Sequence, residues 1–175
     1  MKFVGILWFL AVFPCFAQKA AITFDDLPLN GDLPPGVTRV QIVRDTIAIL
    51  KARHLPAVYG FINGKKLEDN PDSADALKLW AASEPFGNHT YGHLDLNANT
   101  VENFEQEIAQ NEPVLELLGA PGVNWHWLRY PFLREGDTVE KRRAVRSSGA
   151  RIPSGAGDAR LGRLLVEHCL RTLCR

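Results

Sequence analysis

Short apolar runs alternate along the chain with longer stretches of helical spacing, a pattern that predicts βα units around a mostly parallel sheet. Residues 20–24 form the first strand candidate, which ends at Asp25-Asp26 before a loop rich in Pro and Gly. Val40, Val43, Ile47 and Leu50 then recur at helical spacing, with Thr38 as the cap and the helix ending near His54. Residues 57–62 are the second strand. A Gly-Lys loop leads to a helix opened by Pro71-Asp72, with Ala76, Leu77, Leu79 and Trp80 on its inner face. Gly87-Asn88-His89 begins a third loop region. Val101, Phe104 and Ile108 mark another amphipathic helix, which Pro113 is expected to kink or restart. Residues 125–130 are the next strand candidate, and Asp137 with Glu140 has capping-box spacing for one more helix.

At 175 residues, with 46% hydrophobic and 23% charged positions and no net charge, the chain has the composition of one compact domain. The balanced charge offers nothing that would recognise nucleic acid or an anionic membrane surface. Three cysteines, two of them close to the C-terminus, do not make a disulfide framework. Lys2, the uncharged apolar run that follows it and Cys15-Phe16-Ala17 have the form of a signal peptide over residues 1–17. Export to the periplasm or the extracellular space is therefore expected. The run is too short to span about 30 Å of hydrocarbon and Pro14 interrupts it, so no stable membrane insertion is expected after cleavage.

Three clusters fall at strand ends or in the loops after them, where βα folds gather their active sites. Thr23-Phe24-Asp25-Asp26 puts two carboxylates at one strand end, so that one can ligate a metal while the other takes a proton. Successive strand residues point to opposite faces, so the pair shares a site only if the backbone turns there. His89-Thr90-Tyr91-Gly92-His93 spaces two imidazoles so that one helical turn would aim both at a divalent ion. Two His and one carboxylate make an open zinc-type site with a position left for water. Arg129-Tyr130-Pro131-Phe132 places an arginine where a bidentate pair would keep a carboxylate ionised. Trp125 and Trp127 have the spacing of a sugar-stacking platform, although paired aromatics on one strand face more often belong to a core.

In this order and after a signal peptide, these residues resemble the polysaccharide deacetylase family, the NodB-homology carbohydrate esterases, over roughly residues 20–147. The resemblance implies an α/β fold, a distorted or incomplete (β/α) barrel with its site at the C-terminal mouth of the strands. It implies hydrolysis of N-acetyl, or less often O-acetyl, groups on an acetylated polysaccharide or oligosaccharide, with one divalent ion, Zn2+ first, as cofactor. Asp25 takes the role of base, Asp26, His89 and His93 hold the metal, and Arg129 steadies Asp25. Pro131 and Phe132 line the substrate side, the Phe132 N–H helping to hold the oxyanion. Leu27-Pro28 and Leu133 depart from the family, which often has Gly at the position after Thr-Phe-Asp-Asp and at the Leu133 position. Two other classes remain open: a catalytically impaired metal- or sugar-binding fragment, and a different secreted zinc amidase.

The remaining chain divides into a partial deacetylase domain over residues 18–147 and a tail over 148–175. In the tail, Leu165-Val166-Glu167-His168 matches the family's Leu-x-x-His, which would make His168 the general acid, but the match lies close behind Arg129. The basic residues from Arg142 onward are all Arg, and Gly, Ala and Ser crowd residues 147–162. The codons for residues 151–160 admit GYRVAPVTLD one nucleotide further on, close to what the family places after its third motif. The expectation is thus a chain that leaves its reading frame between about 143 and 149 and lacks the C-terminal part of the barrel. The gene sequence decides this, because a plus-one frame without such a continuation returns the acid's role to His168.

Overall fold

The computed structural model describes residues 21–120 and 123–147. The expected signal peptide, Ala20, the tail over 148–175 and His168 lie outside the described residues. Three parallel strands, β1 (Thr23–Leu27), β2 (Tyr59–Ile62) and β3 (Phe86–Asn88), form one sheet in the order β1-β2-β3. Each crossover carries helix, as parallel pairing requires. The chain is of the α/β class that its pattern predicted.

Helix α1 (Arg39–Ala52) starts where expected, because the Thr38 hydroxyl accepts the Gln41 N–H, and it buries Val43, Ile47 and Leu50. After β2 comes a short helix, α2 (Lys66–Asp69), where only a loop was expected. Helix α3 (Ser73–Ala81) buries Ala76, Leu77 and Trp80 and packs on α1. Asp72 opens α3 as expected, its carbonyl accepting the Ala76 N–H, but its side chain caps the other helix. Its carboxylate accepts the first free N–H of α1, Arg39 N, at 3.0 Å, and meets the Arg39 guanidinium at 2.9 Å. These elements and the sheet enclose one core around Ile62, Leu77, Trp80 and Phe86.

Helix α4 (Val101–Leu118), capped by Thr100, runs unbroken through Pro113. The reason is position: Pro113 and Ala109, whose carbonyl loses its helix partner, both lie on the exposed face. The buried stripe of α4 is Phe104, Ile108, Asn111 and Leu115. Residues 125–130 do not form the predicted strand. They contribute an isolated parallel bridge, Asn88 with Leu128, flanked by Asn88 N–H to Trp127 O and Arg129 N–H to Asn88 O. A 3-10 turn follows at Pro131–Leu133, and α5 (Val139–Ser147) closes the described part. Thr138 rather than Asp137 caps α5, its hydroxyl accepting the Lys141 N–H. No described helix is long and apolar enough to cross a membrane.

Candidate metal centre

The end of β1 solves the problem of two adjacent aspartates. Phe24 pairs with Gly60 and Leu27 with Ile62, so β1 carries one residue more than β2 across the same interval. That extra residue is a β-bulge, and Asp26 takes a left-handed φ of 60° within it. Aspartate tolerates this conformation better than most side chains. The Asp26 carboxylate thereby comes within 3.5 Å of His93 Nε2 and 4.0 Å of His89 Nε2. Asp25 goes elsewhere, its Oδ1 lying 3.9 Å from Arg129 Nε.

The two histidines meet without a helical turn. Residues 89–93 are loop, and left-handed backbone at Thr90 (φ 64°) and His93 (φ 63°) folds the segment back on itself. The imidazole centroids come to 5.0 Å at an angle of 71°. The two histidines come together as their spacing suggests, while the expected helical geometry is replaced by a tight loop. His89 is buried, and its Nδ1 lies 2.8 Å from the Arg129 carbonyl. A carbonyl only accepts, so Nδ1 carries the proton and Nε2 keeps its lone pair toward Asp26. Burial lowers the His89 pKa, against the pull of the Arg129 carbonyl and of both aspartates, which favours the neutral imidazole that binds metals.

One donor atom from each of Asp26, His89 and His93 lies within 4.8 Å of the other two. Tetrahedral bonds of about 2.0–2.2 Å put ligand atoms roughly 3.4 Å apart, so a small contraction seats a divalent ion on this oxygen and two nitrogens. The donor chemistry and the oriented His89 fit such a group. Lys66, which the sequence reading passed over as part of a loop, stands on the other side of Asp26. Its Nζ donates to the Asp26 carbonyl at 2.6 Å and the Leu29 carbonyl at 2.9 Å, and lies 3.7 Å from Asp26 Oδ1. Burial lowers its pKa while Asp26 opposes the shift.

Arg129 does not make the bidentate pair that was expected. Its Nη2 donates to Thr23 Oγ1 at 3.2 Å, and its guanidinium lies over the Phe61 ring at 5.0 Å. Its Nε is buried without a hydrogen-bond partner, turned toward Asp25 beyond bonding distance. Pro131 is buried, whereas Phe132 is 59% exposed, with its ring 4.5 Å from that of His93. Phe132 and Leu133 both have φ of 56°. Leu133 therefore adopts the backbone conformation that glycine accepts freely, at a cost of roughly 1–2 kcal/mol. Trp125 and Trp127 are partly buried and pack against two separate apolar clusters, so they belong to the core rather than to a platform.

The fold is shared with solved structures of low sequence identity. A peptidoglycan N-acetylglucosamine deacetylase matches with a TM-score of 0.57 and 20% identity, over 77% of this chain and 55% of its own. The chitin deacetylase from the fungal pathogen Colletotrichum lindemuthianum matches with a TM-score of 0.56 and 20% identity, over 84% of this chain and 63% of its own. A CE4 family pseudoenzyme from Bacillus anthracis matches with a TM-score of 0.55 and 14% identity, over 75% of this chain and 41% of its own. The chain thus spans about half the length of the structures it matches. No curated protein matches it. The sequence profile of the polysaccharide deacetylases matches residues 17–153, most of the chain, and the bulged Asp25-Asp26 pair and the His89 to His93 loop lie within that span. By that match the chain belongs to the polysaccharide deacetylase family.

Proposed function

We propose that the chain is an exported, metal-dependent hydrolase that removes acetyl groups from an N-acetylated, or O-acetylated, polysaccharide. The observation that carries this reading is the convergence of Asp26, His89 and His93 on one point while the adjacent Asp25 stays out of the cluster. Those three residues would hold one divalent ion, Zn2+ by the chemistry of the donors. When bound, the ion supplies Lewis-acid polarisation of the acetyl carbonyl and acidifies the attacking water. Asp25 takes the water's proton on its carboxylate. Arg129 steadies Asp25 from 3.9 Å, a distance short enough for attraction and too long for a hydrogen bond. Pro131 and the exposed Phe132 would border the substrate, the Phe132 N–H serving as a donor to the oxyanion. Residues 18–147 carry this chemistry, preceded by a signal peptide over 1–17.

Release of acetate from N-acetylglucosamine oligomers, with and without a chelator, tests the reading. Chelator-sensitive release that disappears in Asp25→Asn is expected. Release that survives in Asp25→Asn overturns the assignment of the base. A second reading, a sugar-binding protein without turnover, is favoured by a specific observation: a pseudoenzyme carries the same fold. The general acid assigned to His168 also lies outside the described residues. Oligomer binding without acetate release would establish that second reading.

A further inference from the structure

Beneath the histidine loop lies a group of buried asparagines that metal ligation does not use. Asn111 sits in the apolar stripe of α4 with no exposed surface. Its amide donates to the Ile62 carbonyl and to Asn88 Oδ1, both at 2.8 Å, and accepts the Gly64 N–H at 2.8 Å. Asn88 passes the contact on, its Oδ1 accepting the Thr90 N–H at 2.8 Å while its Nδ2 donates to the Ile108 carbonyl. From the β2 side, Asn63 Nδ2 donates to the His89 carbonyl at 2.6 Å and to the Thr90 carbonyl at 3.1 Å. Thr90 is thus held at both its N–H and its C=O, and Thr90 is the β-branched residue at φ 64° that turns His93 back toward His89. A branched side chain does not hold that backbone conformation unaided; the surroundings must impose it. Only a side chain with two donors and an acceptor ties β2, β3 and the Gly64 turn after β2 to one point, reaching Thr90 through Asn88, and this one is placed where the helix pattern calls for an apolar residue.

We infer that Asn111 and Asn63 are positioning residues of the metal centre: their amides impose the left-handed Thr90 that brings His93 into register with His89 and Asp26. The inference deepens the metal-hydrolase reading and rests on it for the role of the two histidines. The alternative is a purely structural network, whose loss weakens the fold without altering the loop.

The experiment uses the full chain and three variants. Asn111→Leu keeps the volume and removes the hydrogen bonds. Asn63→Ala releases the other grip on Thr90. Leu115→Ala, in the same buried stripe, serves as a control for general destabilisation. Co2+ affinity is measured by competition with a chelator, and the absorption bands of the bound Co2+ report its coordination geometry. Asn111→Leu is expected to weaken affinity about 10–100-fold, the usual consequence of losing an outer support, and to shift the Co2+ bands. Leu115→Ala is expected to leave both unchanged. Amide hydrogen exchange in the metal-free protein supplies a readout that needs no ion: the Thr90 N–H is expected to lose protection in Asn111→Leu and to keep it in Leu115→Ala. If Asn111→Leu does not fold, Asn63→Ala decides by the same measurements. Unchanged affinity and unchanged Thr90 protection overturn the inference. So does an equal loss of affinity in Leu115→Ala. A wild-type chain that binds no Co2+ overturns the metal reading instead, and Thr90 exchange then still decides whether the asparagines set the loop.

Discussion

Loading the chain with Zn2+ and then stripping it with a chelator measures what the Asp26, His89 and His93 cluster contributes to the folded state. An ion that binds only the folded chain, present at one hundred times its dissociation constant, stabilises that chain by about 2.7 kcal/mol. The ordered body comprises about 125 described residues. At roughly 2.1 cal/mol/K of melting entropy per residue, a body of that size shifts its Tm by about 4 °C for each kcal/mol. The expected difference between loaded and stripped protein is therefore about 10 °C. Thermal melting followed by circular dichroism reads it. The variants divide along the geometry. Asp26→Asn loses the charged ligand that faces both imidazoles, so nearly the whole shift should vanish, and His93→Ala should behave alike. Asp25→Asn should keep it, because that carboxylate faces Arg129 and lies outside the cluster. A wild-type Tm indifferent to Zn2+ refutes the reasoning. Equal losses in Asp25→Asn and Asp26→Asn refute the division between the two aspartates.

Arg129→Lys is expected to preserve the Zn2+-dependent Tm while lowering acetate release at least about tenfold, since a lysine reproduces neither the stacking on Phe61 nor the bond to Thr23. Gly60→Ala should destabilise by about 1–3 kcal/mol in urea, because its new Cβ would stand 2.1 Å from Leu27 Cδ1 and 2.6 Å from Trp80 Nε1. The Arg39 backbone N–H, more than any other group, lowers the pKa of Asp72, so this carboxylate contributes stability above its ordinary value of 3.8 and loses it as pH falls through the lowered value. Asp72→Asn is accordingly expected to cost up to about 1 kcal/mol near neutral pH, moderated by solvent exposure, and nothing in strong acid. An identical deficit at both ends of an acid titration would disprove that origin.

The helices were legible because burial imposes their period. Val43, Ile47 and Leu50 in α1, and Ala76, Leu77 and Trp80 in α3, are buried as the pattern predicts, while Val40 and Leu79, singled out with them, are partly buried. Strands were less legible. β3 is only three residues long with Gly87 at its centre, where a Cβ would stand 2.6 Å from the Trp127 carbonyl, so it had read as the start of a loop. Residues 125–130 carry the residue types of a strand but face three different clusters, and Leu128 meets Asn88 only in an isolated bridge. At the candidate site, residue type singled out Asp26, His89 and His93, which do cluster, yet backbone geometry was hidden, since nothing in His89-Thr90-Tyr91-Gly92-His93 specifies two left-handed residues. Asn111 left a visible signal, a lone amide in the stripe of Phe104, Ile108 and Leu115. Lys66 left none, because its importance comes from where the β1 loop passes.

Two identical side chains, adjacent in sequence, have acquired different surroundings through one backbone feature. In a regular strand, alternation alone would have sent Asp25 and Asp26 to opposite faces of the sheet, and one of them would have been lost to the site. The bulge at Asp26 keeps both at the strand end and assigns each its own cation, Arg129 to Asp25 and Lys66 to Asp26. The two arrangements differ in kind. Arg129 turns its Nε toward Asp25 Oδ1 at 3.9 Å without making a hydrogen bond. Lys66 donates to the Asp26 and Leu29 carbonyls, and so fixes the backbone behind Asp26, while its charge also lies 3.7 Å from the Asp26 carboxylate that faces the imidazoles. On the proposed reading, a base must exchange protons and a ligand must stay in place. The sequence Asp-Asp meets both demands only because the strand is irregular at the second of the two residues.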